Sequence, residues 1–377
     1  LFKKFAGIDV FDIEIQEKDI DKLVDIIAAL EPTFGAINLE DIKAPECFYV
    51  EQKLKQRLSI PVFHDDQHGT AIIAAAFVHN GLEFVSKKLD NVKLVCSGAG
   101  AAAIACVDLL VDLGLRPENI TMLDAKGVLY KGRSHMNDPF KQKYARETHA
   151  RTLDDALAGA DIFLGLSVGN LLSGEMVKKM AEKPIIMALA NPTPEIRPEE
   201  AKAARPDAII ATGRSDYTNQ VNNVLCFPFI FRGALDVGAT QINTPMKMAC
   251  VHALAELARQ EVPEIVATAY GEEHIQFGPD YLIPKPFDPR LVVEVSSAVA
   301  KAAMDSGVAT RPITDFETYR AQLSQYVFRS GMAMKPIIDR AKQLKKKQRI
   351  VYTEGEDPKI LRAIQTIVDD KLAHAIL

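Results

Sequence analysis

The sequence predicts an α/β protein built around a doubly wound, mainly parallel sheet. Short apolar runs alternate with segments of helical periodicity through most of the chain, and this alternation is typical of parallel sheets with crossover helices. A glycine-rich turn follows one of the apolar runs and opens a helix near residue 98. Further runs at 160–166, 184–190 and 208–212 have the length of buried strands.

The first 85 residues alternate strand and helix on their own. Apolar spacing predicts a helix over 17–30, ended by Glu31-Pro32. Strands are expected at 34–38 and 60–63, and helices at about 45–58 and 69–86. We take 1–85 as an N-terminal α/β domain.

A second alternation defines the domain predicted over 86–310. It begins with a strand at 93–98, a helix at 101–113 and a strand at 119–124, and the three later strands follow. From about 245 to 308 the pattern is helical. This order predicts a doubly wound, dinucleotide-binding domain.

The last part of the chain reads as a connection followed by a new domain. Residues 311–348 are expected to be a helical segment and linker, of which 339–348 is basic. A strand signal at 349–357 and a helix at 358–372 then predict the start of a further α/β domain over 349–377. Because the chain begins without methionine and ends in mid-pattern, we expect the natural chain to be longer.

Composition excludes some classes of function. The formal net charge of −5 and the lack of a basic face argue against a nucleic-acid partner. No apolar run is long enough to span a membrane. The five cysteines are scattered without metal-binding spacing, which predicts a reducing compartment and a cytoplasmic location.

The glycine-rich turn matches the G-x-G-x-x-A pattern of dinucleotide-binding sites. The first glycine permits a tight turn, the second lets a pyrophosphate approach the backbone, and the third small residue lets helix and strand pack closely. The predicted pyrophosphate cradle comprises Gly98, Ala99, Gly100, Ala101, Ala102 and Ala103.

Two residues at the end of the next strand and just after it bear on the choice of nucleotide. Asp124 ends that strand about 20 residues after the turn, where a carboxylate bonds the ribose 2′-hydroxyl of NAD. Lys126 lies two residues further on and is suited to neutralising the 2′-phosphate of NADP. The residue types alone leave both nucleotides open.

Two pairs of carboxylates close the first two strands. Glu40 and Asp41 follow the 34–38 strand, and Asp65 and Asp66 follow the 60–63 strand. Neighbouring parallel strands end at the same edge of a sheet, so these oxygens are expected to converge and to suit Mg²⁺ or Mn²⁺. Two alternatives stay open: His64 and His68 could indicate zinc, or the acidic residues could cap the following helices.

Two asparagines are candidate ligand contacts. Asn191 follows the 184–190 strand, and Asn223 lies in QVNNVLCFPF. Their amides can hydrogen-bond a carboxylate or a nicotinamide carboxamide. Each taken singly is also compatible with an ordinary turn residue.

Six stretches together resemble malic enzyme in its bacterial form, over about residues 1–345. They are LFKKFAGIDVFD, AINLEDIKAPECF, FHDDQHGTA, SGAGAAA, LANPTPEI and TGRSDYTNQVNNVLCFPFIFRGAL. The resemblance implies a malic-type N-terminal domain followed by a Rossmann-type NAD(P) domain. The tail RIVYTEGEDPKILRA resembles the start of a phosphotransacetylase-like domain, as in the long hybrid malic enzymes.

The resemblance also implies roles for single residues. Glu40, Asp41 and Asp66 become the predicted metal ligands, and Asp65 the residue that contacts the general-base lysine. Asn191 and Asn223 match positions that contact substrate or nicotinamide. The base lysine, in an EGK motif, and the acid tyrosine are expected upstream of Leu1, and Lys3 and Lys4 do not match that position.

The activity implied is oxidative decarboxylation of malate to pyruvate with NADP, or alternatively NAD, and Mg²⁺ or Mn²⁺. A homo-oligomer and an acetyl-CoA effector acting on the last domain are also implied. A catalytically silent nucleotide-binding regulatory module is the main rival. A metal-independent α/β dehydrogenase, such as an amino-acid dehydrogenase, is a weaker one.

Overall fold

The computed structural model describes residues 1–134, 136–270, 275–324, 326, 340–341, 344, 346–353, 355–369 and 372–376. These residues form two compact units, Leu1–Tyr319 and Arg320–Leu377. The first unit contains every residue that the sequence singles out as a candidate site. Each unit is described by itself below.

The first unit opens with a small parallel sheet and the helices around it. Its elements are α1 (Phe2–Ala6), α2 (Ile20–Ala28), β1 (Ile37–Leu39), α3 (Glu46–Arg57), β2 (Val62–His64) and α4 (Asp65–Phe84). The Asp19 carboxylate accepts the N–H groups of Asp21 and Lys22 and so begins α2. Val24, Ile27 and Leu54 pack in a core beside both strands.

A six-stranded sheet follows in the order β5-β4-β3-β6-β7-β8. Its strands are β3 (Leu94–Ser97), β4 (Ile120–Asp124), β5 (Gly127–Val128), β6 (Ile162–Gly165), β7 (Ile185–Ala188) and β8 (Ile209–Thr212). All neighbours pair in parallel except β4 and β5, which are antiparallel. The order in which strands are added changes direction between β3 and β6, and a doubly wound sheet binds its ligand at such a switch point. The predicted fold class is confirmed.

Helices flank this sheet, and their bounds follow the expected alternation. They are α5 (Ala101–Asp112), α6 (Pro139–Gln142), α7 (Leu153–Leu157), α8 (Gly174–Lys178), α9 (Pro198–Ala204), α10 (Phe227–Asp236), α11 (Thr244–Arg259), α12 (Glu264–Ala269) and α13 (Arg290–Asp305). Short 3-10 turns occupy Glu31–Thr33, Pro117–Asn119 and Asn223–Leu225.

Helix α4 joins the small sheet to the large one. It packs against α5 and α11, and most of its side chains are buried. Asn80 in its last turns is fully buried and donates to the carbonyls of Ala255 and Leu282, both at 2.9 Å. A buried amide that donates to two backbone carbonyls fixes the helix in one position.

Several elements differ in extent from the sequence expectations. The strands expected at 34–38 and 60–63 are the three-residue β1 and β2, and α4 begins at Asp65 instead of residue 69. The small and apolar residues that signalled α4 lie after its acidic first turn, so periodicity placed its start late. The helical pattern expected over 245–308 corresponds to helices α11, α12 and α13. A segment with buried Tyr281 and Leu282 separates α12 from α13.

The second unit contains a parallel β-α-β arrangement. It consists of β9 (Arg349–Val351), α14 (Pro358–Asp369) and β10 (His374–Ile376), with His374 paired to Arg349. Strand β9 is shorter than the strand expected over 349–357. Residues 320–324 are helical. Within the predicted segment 311–348, residues 325, 327–339, 342–343 and 345 lie outside the described residues.

No helix among the described residues combines the length and the apolar character needed to cross a membrane.

Gly98 generates a prediction about the turn after β3. Its φ is +126°, and an added Cβ would lie 2.6 Å from the Leu166 carbonyl oxygen. Gly98→Ala should therefore lower the free energy of unfolding by roughly 1–3 kcal/mol, measured by denaturant titration. Gly100→Ala is the matched control, because Gly100 has ordinary extended backbone and open space around it. Equal stability of the two variants would contradict this account.

Candidate functional site

The acidic residues meet at one edge of the small sheet. β1 and β2 are parallel, with Leu39 opposite His64, so the residues that follow each strand emerge side by side. The backbone N–H of Asp41 donates to Asp66 Oδ2 at 3.1 Å. Asn38 Nδ2 donates to Glu40 Oε1 at 2.7 Å. We call Glu40, Asp41, Asp65 and Asp66 the acidic edge.

Asp65 lies at the base of the acidic edge. Only 2% of its surface is exposed. Asn223 Nδ2 donates to its Oδ2, and its Oδ1 is buried without a hydrogen-bond partner. Burial and the charges of Glu40 and Asp66 raise the pKa of Asp65 to about 8, against the smaller opposing effect of Asn223. A nearby cation or proton donor would therefore stabilise the Asp65 carboxylate.

The acidic edge fits a divalent cation in its donor chemistry. In the described part of the chain no lysine or arginine forms an ion pair with these four carboxylates. Carboxylate oxygens without thiolates are the ligands that Mg²⁺ and Mn²⁺ prefer. Among the same described residues, no three His, Cys, Asp or Glu side chains already lie close enough to hold a metal ion. The orphaned Oδ1 of Asp65 is the observation that favours a cation here.

The two histidines have different partners. His64 is fully buried, with Nε2 3.3 Å from the Ile42 carbonyl oxygen and Nδ1 3.8 Å from Asp66 Oδ2. His68 Nε2 lies 2.8 Å from Glu51 Oε1 on α3. Burial lowers the pKa of both imidazoles, that of His68 to about 4. The structure does not bring these side chains together as a zinc site would require.

The capping alternative is wrong for both pairs of carboxylates. Helix α4 starts at Asp65 with His64 at the N-cap, so Asp66 lies within the first turn. Helix α3 starts at Glu46 with Pro45 at the N-cap and no side-chain cap, so Glu40 and Asp41 do not cap it. Aspartate suits a helix N-cap and a first helical turn alike, and the residue type could not separate the two.

The glycine-rich turn connects the end of β3 to the start of α5. Gly98 turns the chain at the end of β3, and Gly100 is the N-cap of α5 with no atom near its missing Cβ. Ala99 and Ala103 are buried, which allows the close packing of helix and strand. Ala101 and Ala102 begin α5 and are partly exposed, so their N–H groups point to an open helix start.

Asp124 ends β4 as expected, but its carboxylate is already bonded. Arg133 Nη2 donates to Oδ1 and Oδ2 at 2.7 Å each, and the N–H of Lys126 donates to Oδ1 at 2.8 Å. The Lys126 side chain is exposed. Arg133 carries no signal in the sequence as a partner of Asp124, because nothing in the local pattern indicates that the chain returns past β5 to Asp124.

The two asparagines occupy different places. Asn191 is exposed after β7, and its amide lies 3.0 Å from where a Cβ on Gly213 would stand. It therefore lies at the carboxyl edge of the large sheet, between the ends of β7 and β8. Asn223 begins a 3-10 turn and reaches Asp65. Asn223 thus connects the acidic edge to the segment that follows the last strand.

Glu195 is a structural residue that the sequence analysis also missed. It is completely buried, and its carboxylate accepts the N–H groups of Ser167 at 3.1 Å and Ala190 at 3.0 Å. It ties together the loops after β6 and β7, beside the glycine-rich turn. Its position in the polar stretch NPTPEI is typical of an exposed loop, so the sequence carries no signal for this burial.

Gly69 generates a prediction about the acidic edge. An added Cβ would lie 2.0 Å from Asp65 Oδ1 and 3.0 Å from Asn223 Cβ. Gly69→Ala should push Asp65 away from Asn223 and weaken Mn²⁺ binding roughly 10-fold or more, since neighbours that orient ligands have effects of that size. Titration calorimetry with Mn²⁺ measures this directly.

Gly81→Ala is the control in the same helix. Its added Cβ meets only the flexible end of Ile185, at 3.0 Å. Mn²⁺ affinity should stay at the wild-type level in this variant. If both variants bound Mn²⁺ as the wild type does, the acidic edge would not be the metal site.

Family models match two parts of the chain. The malic enzyme N-terminal domain matches residues 1–55, and the malic enzyme NAD-binding domain matches residues 67–268. The second match covers more than half of the chain and includes α4 from Gln67 onward, the glycine-rich turn, Asn191 and Asn223. The first includes Glu40 and Asp41.

Similar proteins cover the whole chain. It is 62% identical to the NADP-dependent malic enzyme of Haemophilus influenzae and 60% identical to an NAD-dependent malic enzyme of Rhizobium meliloti, over 100% of this chain in each case. It spans about half the length of these curated relatives, 50% and 49%.

A solved structure agrees with the fold. The crystal structure of malic enzyme from Pyrococcus horikoshii superimposes with a TM-score of 0.79 at 37% identity, covering 89% of this chain and 76% of that one. Together with the family models and the sequence relatives, this shows that the chain belongs to the malic enzyme family.

Proposed function

We propose that the protein containing this chain converts L-malate to pyruvate and CO₂, with reduction of NADP⁺ or NAD⁺ and a requirement for Mg²⁺ or Mn²⁺. One observation carries the proposal beyond family membership. Asn223, from the segment after the nucleotide-binding strands, donates to Asp65 in the acidic edge. A substrate bound at the acidic edge would therefore lie beside the segment that follows the nucleotide-binding strands.

Glu40, Asp41 and Asp66 are the residues proposed to hold the cation. A divalent cation bound there supplies Lewis acidity that polarises the C2 oxygen of malate and favours loss of CO₂ from the neighbouring carbon. The buried Asp65 Oδ1 and the uncompensated carboxylates around it support this assignment.

Asp65 is proposed to orient the general base and not to act as the base. Its unpartnered Oδ1 is suited to accepting a hydrogen bond from a lysine ammonium. The resemblance to malic enzyme implies that such a lysine lies upstream of Leu1. The pairing would lower the high pKa of Asp65 and hold the lysine at the C2 hydroxyl.

The two asparagines are proposed to orient substrate and nucleotide. Asn223 keeps one amide N–H on Asp65 and has its remaining donor and its carbonyl for a ligand. Asn191 presents an exposed amide at the sheet edge, where a nicotinamide carboxamide or a substrate carboxylate can bond to it. A bound nicotinamide would accept the hydride from malate C2, while the base would accept the hydroxyl proton.

The chemistry after hydride transfer also balances. Loss of the carboxylate next to C3 as CO₂ leaves an enolate, and a general acid returns one proton to C3 to give pyruvate. Gly98 to Ala103 are proposed to hold the pyrophosphate of the nucleotide. The open space at Gly100 supports this role.

The direct test follows L-malate-dependent reduction of NADP⁺ and of NAD⁺ by the full-length protein with Mn²⁺. Pyruvate should form, and excess EDTA should abolish the reaction. Asp66→Ala should lower kcat/KM roughly 100-fold or more, since a metal contributes several kcal/mol to the transition state.

Asp25→Ala is the matched control for that substitution. Asp25 is an exposed carboxylate that pairs with Arg57 on α3, outside the acidic edge, so its removal should leave the rate unchanged. Folded, Mn²⁺-loaded protein that binds nucleotide without reducing it in the presence of malate would refute the enzyme and favour the regulatory module.

We also propose the hybrid architecture, in which the last unit is the start of a phosphotransacetylase-like domain that responds to acetyl-CoA. The parallel β9-α14-β10 arrangement supports an α/β domain there. The predicted domain limits of 1–85, 86–310, 311–348 and 349–377, a homo-oligomer and a cytoplasmic location belong to the same proposal. All five cysteines are free and buried, which agrees with a reducing compartment.

Adding acetyl-CoA to the full-length protein tests the effector. We expect a change in malate-dependent rate that depends on acetyl-CoA concentration, with coenzyme A alone as the control. Sedimentation velocity on the same sample should give a mass of at least two chains. A rate independent of acetyl-CoA and a monomeric mass would remove these two parts of the proposal and leave the catalytic part intact.

A further inference from the structure

The strand order of the large sheet distinguishes the two halves of a dinucleotide site. In the order β5-β4-β3-β6-β7-β8, the glycine-rich turn follows β3, and the switch point lies between β3 and β6. A dinucleotide lies across such a point, with its adenine half toward β4 and its nicotinamide half toward β6 and β7. The groups around the carboxyl ends of β6 and β7 are therefore those nearest to the nicotinamide half.

Glu195 places its carboxylate between the ends of these two strands. Its Oε1 accepts the N–H of Ser167, two residues after β6, at 3.1 Å. Its Oε2 accepts the N–H of Ala190, two residues after β7, at 3.0 Å. A Cβ added to Gly165, the last residue of β6, would lie 2.6 Å from Oε1. The carboxylate therefore packs directly against the carboxyl end of β6.

Ser167 connects this carboxylate to the glycine-rich turn. The Oγ atoms of Ser167 and Ser97 are 2.9 Å apart, and Ser97 is the last residue of β3, directly before Gly98. The N–H of Leu166 also donates to the Ser97 carbonyl at 2.8 Å. A single residue thus joins the Glu195 carboxylate to the start of the predicted pyrophosphate cradle.

The charge of Glu195 has no counter-ion in the part of the chain that the structure describes. Its side chain is completely buried, and no lysine, arginine or histidine among those residues forms an ion pair with it. No described group accepts a hydrogen bond from its carboxyl, so both oxygens act as acceptors, as in the ionised form. Burial raises the pKa of Glu195, and the backbone N–H groups oppose that rise. A positive charge nearby would therefore stabilise the carboxylate.

The nicotinamide ring is the part of the nucleotide whose charge changes in the reaction. The ring of NAD⁺ or NADP⁺ carries one positive charge, and it becomes neutral when it accepts a hydride with its electron pair. A fixed negative charge nearby stabilises the oxidised ring and has little effect on the neutral one. Because a buried charge is screened less than an exposed one, its effect extends over several ångströms.

We propose that Glu195 makes the nucleotide site favour the oxidised nucleotide over the reduced one, by holding an ionised carboxylate beside the nicotinamide half. This inference rests on the proposed function, because it requires a nicotinamide nucleotide bound along this sheet edge. Glu195 acts through its charge and not by contact with the reacting atoms. Hydride transfer removes the attraction, so the reduced nucleotide is released more readily.

Binding measurements on the full-length protein test the proposal without turnover. Titration calorimetry gives the Kd values of NADP⁺, NADPH, NAD⁺ and NADH in the absence of malate. The informative quantity is the Kd of the reduced form divided by the Kd of the oxidised form, because a general loss of structure weakens both. Glu195→Gln removes the charge at nearly constant volume, so this ratio should fall roughly 5-fold or more. An unchanged ratio in folded Glu195→Gln protein would overturn the proposal.

Asp161→Asn is the matched control. Asp161 directly precedes β6 at the opposite end of the same strand, where its carboxylate accepts the Lys93 N–H at 2.9 Å and Lys87 Nζ at 2.7 Å. The substitution removes one negative charge far from the carboxyl edge, so the ratio should stay at the wild-type value. A fall as large as that in Glu195→Gln would indicate a general effect of net charge and would overturn the proposal.

Glu195→Asp separates the charge from the shape of the side chain. It keeps the negative charge and shortens the reach to Ser167 and Ala190, so both affinities should weaken while their ratio is retained. Loss of the ratio in this variant would overturn the proposal, including where unfolding curves show that Glu195→Gln does not fold.

The outcomes for the proposed function are distinct from these. A wild-type protein that binds none of the four nucleotides would refute nucleotide binding, and this inference with it. Nucleotide binding with an unchanged ratio in Glu195→Gln refutes the inference alone. A failure of malate turnover does not alter the ratio.

Discussion

The crowding of carboxylates at the start of α4 is the constraint on which the rest of the site depends. Asp65 and Asp66 occupy the first helical turn directly after β2, and the β1 pairing brings Glu40 and Asp41 beside them. The N-terminus of a 20-residue helix offers partial positive charge to the first two. That contribution leaves Asp65 with a pKa of about 8. The fold therefore leaves these carboxylates with unbalanced negative charge, which a bound cation or a lysine ammonium would offset.

Packing around the large sheet holds the carboxylates of the acidic edge in this arrangement. Helix α4 lies along α5 and α11, and the buried amide of Asn80 fixes its far end to the carbonyls of Ala255 and Leu282. At its near end, Asn223 holds Asp65. Glu195 performs a comparable task for the loops after β6 and β7. Buried polar side chains with specified partners, and not apolar packing alone, thus set the positions of the groups proposed to act.

Much of this arrangement could be predicted from the sequence, for physical reasons that also explain the failures. The strand and helix alternation indicated parallel pairing, and parallel pairing required Glu40 and Asp66 to emerge at one edge. Contacts between distant segments had no such signature: the reach of Arg133 to Asp124 depends on the β4-β5 turn, and the burial of Glu195 depends on the ends of two strands. The helix-capping alternative failed because α4 begins four residues before its expected start. Asp66 therefore lies within the first helical turn and not at the N-cap.

The hydrogen bond between Asn223 and Asp65 joins residues 158 positions apart, and this separation has a consequence for folding. Contacts of long sequence separation close large loops and form late, after local helices and adjacent strand pairs. The intervening residues include every strand of the large sheet. The acidic edge acquires its polar partner only when that sheet is complete, so a chain released before the segment after β8 has been synthesised carries the carboxylates without the side chain that orders them. The acidic edge is therefore fully ordered only after the whole first unit has folded.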